Sequence, residues 1–223
     1  MIDPKAVERM ADFFDVRSEG YEAHMERSVA SFAGFYHAVA SPIPATKEAL
    51  RILDLGSGTG LELDAIFGRA PNAAITAIDV SAGMLERLRA KYAARAERLY
   101  LVRGSYLELP FGTARYDYAV AVMTLHHLLP STKRELYGKL RRALKGGGAT
   151  IEADWTVSPA EEERYLASYN ARVAELEPSR AGAYHIDIPM SLTTAKDLLR
   201  QAGFSTVEVI WEADGNSVYV ARC

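Results

Sequence analysis

The chain has 223 residues, 49% of them apolar, and a formal net charge of −3. This suffices for one large α/β domain with a small appendage, and with no long basic block it gives no electrostatic case for nucleic acid. The lone cysteine, Cys223, rules out an internal disulfide; with no signal-peptide core and no uncharged apolar run of bilayer length, the expectation is a cytoplasmic protein without a membrane partner.

Taken in order, residues 4–40 show helical spacing. Val7, Met10, Ala11 and Phe14 share one face, and Tyr21, Met25, Val29, Phe32 and Tyr36 share a second. Asp15 to Gly20 separates the two runs. The prolines of S-P-I-P-A-T, Ser41 to Thr46, mark a linker. It divides an expected N-terminal helical unit, 1–45, from a larger domain, 46–223. Strands and helices then alternate. Strands are expected at 51–56, through A-A-I-T-A-I-D-V to Val80, at 99–104, 116–124 and 149–155. Ser81 suits the N-cap of the second intervening helix. T-K-R-E, Thr132 to Glu135, has a capping-box pattern, and Gly146 to Gly148 should stop that helix. This rhythm predicts a mostly parallel sheet with helices on both faces. An insert follows at about 156–192. Its helix opens with an N-cap, proline and glutamate at Ser158, Pro159 and Glu161, and runs to about Leu176. The loop at 183–190 leads to a last helix ending at Ala202-Gly203. Asp214-Gly215-Asn216 joins the final two strands as an antiparallel hairpin.

The chemistry-bearing stretch is R-I-L-D-L-G-S-G-T-G, Arg51 to Gly60, a strand leading into three alternate glycines. Glycine there takes positive φ and lets backbone approach a ligand. One glycine would serve a plain turn; three in five residues favour a binding loop. A dinucleotide motif needs its third glycine at position 61, which is Leu61. The spacing therefore disfavours a pyrophosphate and a nicotinamide-dependent reductase, for which a Tyr-x-x-x-Lys pair is also missing. Asp79, nineteen residues beyond Gly60, ends the next strand where a carboxylate can accept from a ribose diol.

With A-I-D-V-S-A-G-M-L, L-P-F, Y-D-Y-A-V-A-V-M-T-L-H-H-L and L-K-G-G-G following in order, residues 50–155 resemble the S-adenosylmethionine-dependent methyltransferases with a Rossmann-like fold. F-F-D-V-R-S-E-G-Y-E-A-H-M and Y-H-I-D-I-P are similar to segments in small-molecule-type members. The resemblance implies a three-layer α/β/α sandwich with a seven-stranded, mostly parallel sheet, a C-terminal antiparallel hairpin and an N-terminal helical lid. It implies S-adenosyl-L-methionine as cofactor, S-adenosyl-L-homocysteine as product, and no metal. Asp54, Gly56, Ser57, Gly58 and Gly60 would surround the methionine moiety, and Asp79 the ribose. Val80 and Met84 would pack on adenine, and Met123 and Thr124 would line the sulfonium end. Ser105, followed by Tyr106, stands where the family often has an acidic adenine contact. A helix starting at Gly60 would aim its positive end into the crevice.

The acceptor side is expected to be built by the N-terminal helices and the insert. Tyr21 and Arg17 are placed against the cofactor tail as parts of a lid hinged at Asp15 to Gly20. Tyr21, His24, His126 and His185 with Asp187 are the candidate acceptor-side groups, since a histidine of near-neutral pKa can take a proton from a hydroxyl, thiol or amine. His126 has the best position, directly after the fourth strand. His127 and His37 read as ordinary packing or surface histidines. A metal site from His24, His126, His185 and Asp187 matches no spaced ligand pattern and is not expected. The partner is expected to be a small-molecule substrate; a non-catalytic cofactor-binding or sensor protein is the alternative, and the oligomeric state stays open.

Overall fold

A computed structural model of the chain describes residues 8–29, 31–173 and 184–223. In chain order the strands are β1 (Arg51–Leu55), β2 (Ala74–Asp79), β3 (Leu99–Arg103), β4 (Tyr116–Val122), β5 (Leu144–Val157), β6 (Met190–Ser191), β7 (Thr206–Ala213) and β8 (Asn216–Arg222). They make one sheet of order β3-β2-β1-β4-β5-β8-β7, and the two-residue β6 joins β5. β1 to β5 are parallel, while β8 runs antiparallel to β5 and β7. The expected hairpin forms: Asp214 and Gly215 both take positive φ, as its tight turn demands. The chain leaves β1 toward β2 and β3, then returns to β4 on the other side. That reversal opens a crevice beyond the carboxyl ends of β1 and β4.

The helices are α1 (Met10–Arg17), α2 (Tyr21–Ser28), α3 (Phe32–Ala40), α4 (Leu63–Arg69), α5 (Ala82–Lys91), α6 (Pro130–Ala143), α7 (Pro159–Val173) and α8 (Leu192–Gln201). Successive side chains of β1 alternate between two cores. Ile52 packs with Phe35 and Val39 of α3 and Ile66 of α4. Leu53 packs with Leu136 and Leu140 of α6 and Leu199 of α8. This is the expected three-layer sandwich, and among the described residues no helix is long and apolar enough to cross a membrane.

Several boundaries differ from the sequence reading. The second N-terminal run is two helices, because Val29 is extended and buried and Ser31 takes φ 51°. The turn redirects α3 into the core, so α3 belongs to the sandwich; only α1 and α2 lie over the crevice. α6 begins at Pro130, whose fixed φ suits a first helical position, and the Thr132 box is not its start. The three glycines do not cap α6; they lie within β5, where the register with β4 shifts. α4 starts at Leu63, three residues after Gly60, and has only 7 residues. Ser81 caps α5 by accepting from Met84 N at 3.1 Å. The Ser158 box also forms: Ser158 N donates to Glu161 Oε2 at 3.0 Å, and Glu161 N donates back to Ser158 Oγ at 3.3 Å. The expected helix end at Leu176 and the loop start at Ala183 lie outside the described residues.

Candidate active site

Gly56, Gly58 and Gly60 have φ of 62°, 50° and 74°. A Cβ on Gly56 would lie 2.1 Å from Thr124 Oγ1, so glycine is what lets the β1 and β4 ends meet. A Cβ on Gly58 would meet nothing closer than Tyr21 Cε1, at 3.6 Å; it would project into the cleft between them. The turn is fastened to β2 through Asp79, whose Oδ2 accepts from Gly58 N and Oδ1 from Ser81 N, both at 2.8 Å. Each of these oxygens keeps a second acceptor position.

A cleft lies over this turn. Gly56, Gly58, Asp79, Val80 and Met84 line one side, and Ser105, Tyr106, Met123 and Thr124 the other, with Tyr21 as cover. Asp54 and Ser57 lie beneath the turn, 1% and 4% exposed. Asp54 Oδ2, Ser57 Oγ, Thr59 Oγ1 and Glu62 Oε1 are buried without a hydrogen-bond partner. Glu62, missed in the sequence, stands at the entry to α4. Burial raises both carboxyl groups; the neighbouring Glu62 raises Asp54 further, whereas interaction with Asp54 restrains the rise at Glu62. Orphaned acceptors beside orphaned hydroxyls suit the ammonium and carboxylate of an amino-acid tail. A two-oxygen acceptor at Asp79 suits a ribose diol.

Other expectations are placed differently. Ser105 Oγ accepts from Leu107 N at 3.2 Å, so its side chain braces its own loop while Ser105 lines the cleft. Tyr106 Oη donates to Thr124 O at 3.3 Å and props the β4 end. Gly60 is closed in by Leu63, Tyr92 and Leu88 and supports the turn from behind. Because α4 starts late, its N-terminus does not begin at the glycines. Arg17 does not reach the cofactor cleft: its Nη1 donates to Glu8 Oε2 at 2.8 Å, and its guanidinium stacks 3.7 Å above Phe13.

A second cleft adjoins the first and shares Phe14, Tyr21, Met123 and His127 with it. Met123 holds φ 49°, uncommon for a non-glycine residue, at the point where the clefts meet. Arg17, His24 and Met25 lie toward α1 and α2, and His126, His185 and Asp187 form the opposite wall. His24 is exposed, and its Nε2 lies 3.4 Å from Ser28 Oγ. His185 stacks on Phe13 with centroids 3.5 Å apart. Its N donates to Glu8 O at 3.0 Å, joining the insert to the N-terminal segment over the cleft.

His126 is held most firmly. Its Nδ1 lies 2.5 Å from Asp154 Oδ1, and Asp154 Oδ2 accepts from the N–H groups of Leu125 and His126, both at 2.9 Å. Burial alone would depress this imidazole; the Asp154 carboxylate outweighs it and raises the pKa. Asp154, at the end of β5, was missed; an acid closing a central parallel strand was the available signal. His127 corrects the sequence reading: it is 4% exposed, it lines both clefts, and burial followed by the His126 charge lowers it to about 4.

A glycine turn and a strand-end aspartate lining a cleft at the switch point of this sheet are the arrangement of a Rossmann-like α/β fold. The chain matches, over residues 52–148, a family model described as "Methyltransferase domain", which supports an S-adenosylmethionine-dependent methyltransferase with S-adenosylmethionine as its cofactor. It is 31% identical over 162 residues to the O-methyltransferase cnsE of Penicillium expansum, covering 71% of this chain and 53% of that one. It therefore spans about half of that relative's length. It is 27% identical over 229 residues to a carboxy-S-adenosyl-L-methionine synthase of Wolinella succinogenes, covering 94% and 92%. The solved DhpI–SAH complex superimposes with a TM-score of 0.70 at 18% identity, covering 95% and 94%.

Proposed function

We propose that this chain methylates a small-molecule acceptor by direct in-line displacement, the acceptor lying in the second cleft. The observation that carries this is the junction at Met123, where the cofactor cleft opens onto a cleft walled by an Asp154-oriented histidine. Bound S-adenosylmethionine supplies a methyl carbon made electrophilic by its positive sulfur. The chain's task is to orient and desolvate the acceptor. Because Asp154 holds Nδ1, Nε2 of His126 is the ring nitrogen left to take a hydrogen bond from the acceptor's nucleophile. Phe13, Phe14 and Tyr21 supply apolar cover that excludes water. In the transfer, the acceptor's proton leaves to a base or solvent, its electron pair forms the bond to carbon, and the carbon–sulfur pair stays with sulfur. The lone cysteine supports a cytoplasmic setting.

The nearly full-length likeness to a carboxy-S-adenosylmethionine synthase favours a second reading, in which the cofactor is itself modified. Incubation with methyl-deuterated S-adenosylmethionine and a panel of phenols, carboxylic acids and amines separates the two by mass spectrometry. Methyl transfer yields S-adenosylhomocysteine and a labelled product. His126→Ala should then lower kcat by roughly a hundredfold and leave S-adenosylhomocysteine affinity unchanged. A carboxylated cofactor, or cofactor binding with no turnover on any acceptor, would reject the proposal.

A further inference from the structure

His126, His127 and Asp187 each present one ligand atom, and these atoms lie within 4.8 Å of one another. Asp187 Oδ1 is 3.2 Å from His127 Nδ1 and 3.9 Å from His126 Nε2. Ligands about 2.0–2.2 Å from a zinc-sized ion sit on the order of 3–3.5 Å apart, so modest side-chain movement would close the set. Two histidines and one carboxylate with an open position make the donor set of catalytic zinc and other first-row divalent sites.

Two further observations point to a ligand there. His127 Nδ1 is buried and has no hydrogen-bond partner; although Asp187 is 3.2 Å away, the approach does not make a hydrogen bond. A buried ring nitrogen without a partner, close to a second histidine and a carboxylate, is what a coordinating imidazole requires. His126, in turn, has its other ring nitrogen on Asp154, itself fixed by three backbone N–H groups, those of Leu125, His126 and Trp155. A carboxylate behind a histidine is the arrangement that orients metal-bound imidazoles and increases their basicity. The two histidines are consecutive on one 3-10 turn, with ring centroids 4.0 Å apart, so a single backbone turn delivers both. Asp187 comes from the insert, which makes the site a link between sheet and cover.

We infer that His126 Nε2, His127 Nδ1 and an Asp187 carboxylate oxygen bind one first-row divalent cation on the wall of the acceptor cleft, with its open position facing the acceptor. The role assigned to the cation rests on reading that cleft as the acceptor site; cation binding itself does not. In the loaded site, the lone pair of His126 serves the cation and the acceptor's oxygen takes the open position. That oxygen loses its proton to solvent more readily than in water, and its remaining electron pair faces the methyl donor past Met123. His185 stacks on Phe13 beside the triad and stays outside the set.

The test uses the full chain, stripped with a chelator and dialysed, without cofactor or acceptor. Titration with Co²⁺ should give a saturable visible absorption band at one equivalent, and Zn²⁺ should displace it. Asp187→Asn and His127→Ala should abolish the band, and Asp154→Asn should weaken binding by roughly 10- to 100-fold. His37→Ala, which removes an exposed histidine of α3, should change nothing. All variants should keep the parent's Tm and far-UV circular dichroism, which shows that they are folded. No saturable band in the parent, or a band that survives both Asp187→Asn and His127→Ala, would overturn the site. Either result would leave cofactor binding and the acceptor reading standing, because both are measured separately.

Discussion

Asp54 and Glu62 show what a binding site looks like one residue at a time. They are 1% and 4% exposed, and burial pushes both carboxyl groups upward, Glu62 to about 7. A buried pair at neutral pH therefore retains protons that exposed carboxylates would have lost. An amino-acid ammonium set between them favours the ionised form and expels a proton. The free state then holds more protons than the bound state, so affinity must rise with pH, by at most roughly tenfold per unit for each proton expelled, with the Glu62 share of the rise ending above about 7. Calorimetric titration of S-adenosylhomocysteine between about pH 5.5 and 7.5 reads this directly. 5′-Methylthioadenosine, which lacks the ammonium, should show no such slope. Equal slopes for both ligands, or tighter binding toward acid, would remove the pair from the tail site. Asp54 was legible in the sequence through the motif around it. Glu62 was not, because a glutamate at a helix entry usually faces solvent, and only the tertiary packing of α4 turns this one inward.

At the scale of elements, α1 and α2 contribute Met10, Phe14 and Tyr21 to the cleft over the glycine turn, and one carboxylate anchors them. Asp15 Oδ1 accepts from Ser81 Oγ at 2.5 Å and from Gly83 N at 3.1 Å, joining the end of α1 to the first turn of α5. Burial of Asp15 is slight, and the hydrogen bond from Ser81 holds its pKa below the usual range. Asp15→Ala should release the cover and speed S-adenosylhomocysteine dissociation by a few-fold, about 1 kcal/mol, with little change in Tm. Stopped-flow measurement checks it; an unchanged off-rate would mean that α1 does not cover the ligand. Removing residues through 40 would be a poorer test, because Phe35 and Val39 of α3 are fully buried in the main core. Local chemistry decided which helix ends could be read in advance. Ser158, Pro159 and Glu161 form their box because nothing competes. Thr132 does not start α6 because Pro130 is already in place, and Gly146 to Gly148 fall within β5 where its register against β4 shifts.

For the whole molecule, the sheet order explains why one half of the site was legible and the other was not. The cofactor half is built from consecutive βα turns, so Gly56, Gly58 and Asp79 are a short distance apart in sequence and carry a recognisable spacing. The acceptor half gathers Phe13, His126, Asp154 and Asp187 from four separate stretches. No local pattern links them, and in the sequence His127, next to His126, reads as an ordinary packing or surface histidine. The central claim is that the cleft at the reversal of this sheet is an S-adenosylmethionine site held through Asp79. Calorimetric titration of S-adenosylhomocysteine into the parent and Asp79→Ala proteins tests it most directly, with Tm recorded because Asp79 also receives the Gly58 and Ser81 amides. The account predicts one-to-one binding to the parent, a loss of about 1–3 kcal/mol of affinity in the variant, and no binding of NADH. Absence of S-adenosylhomocysteine binding, or affinity indifferent to the loss of Asp79 in a folded variant, would contradict it.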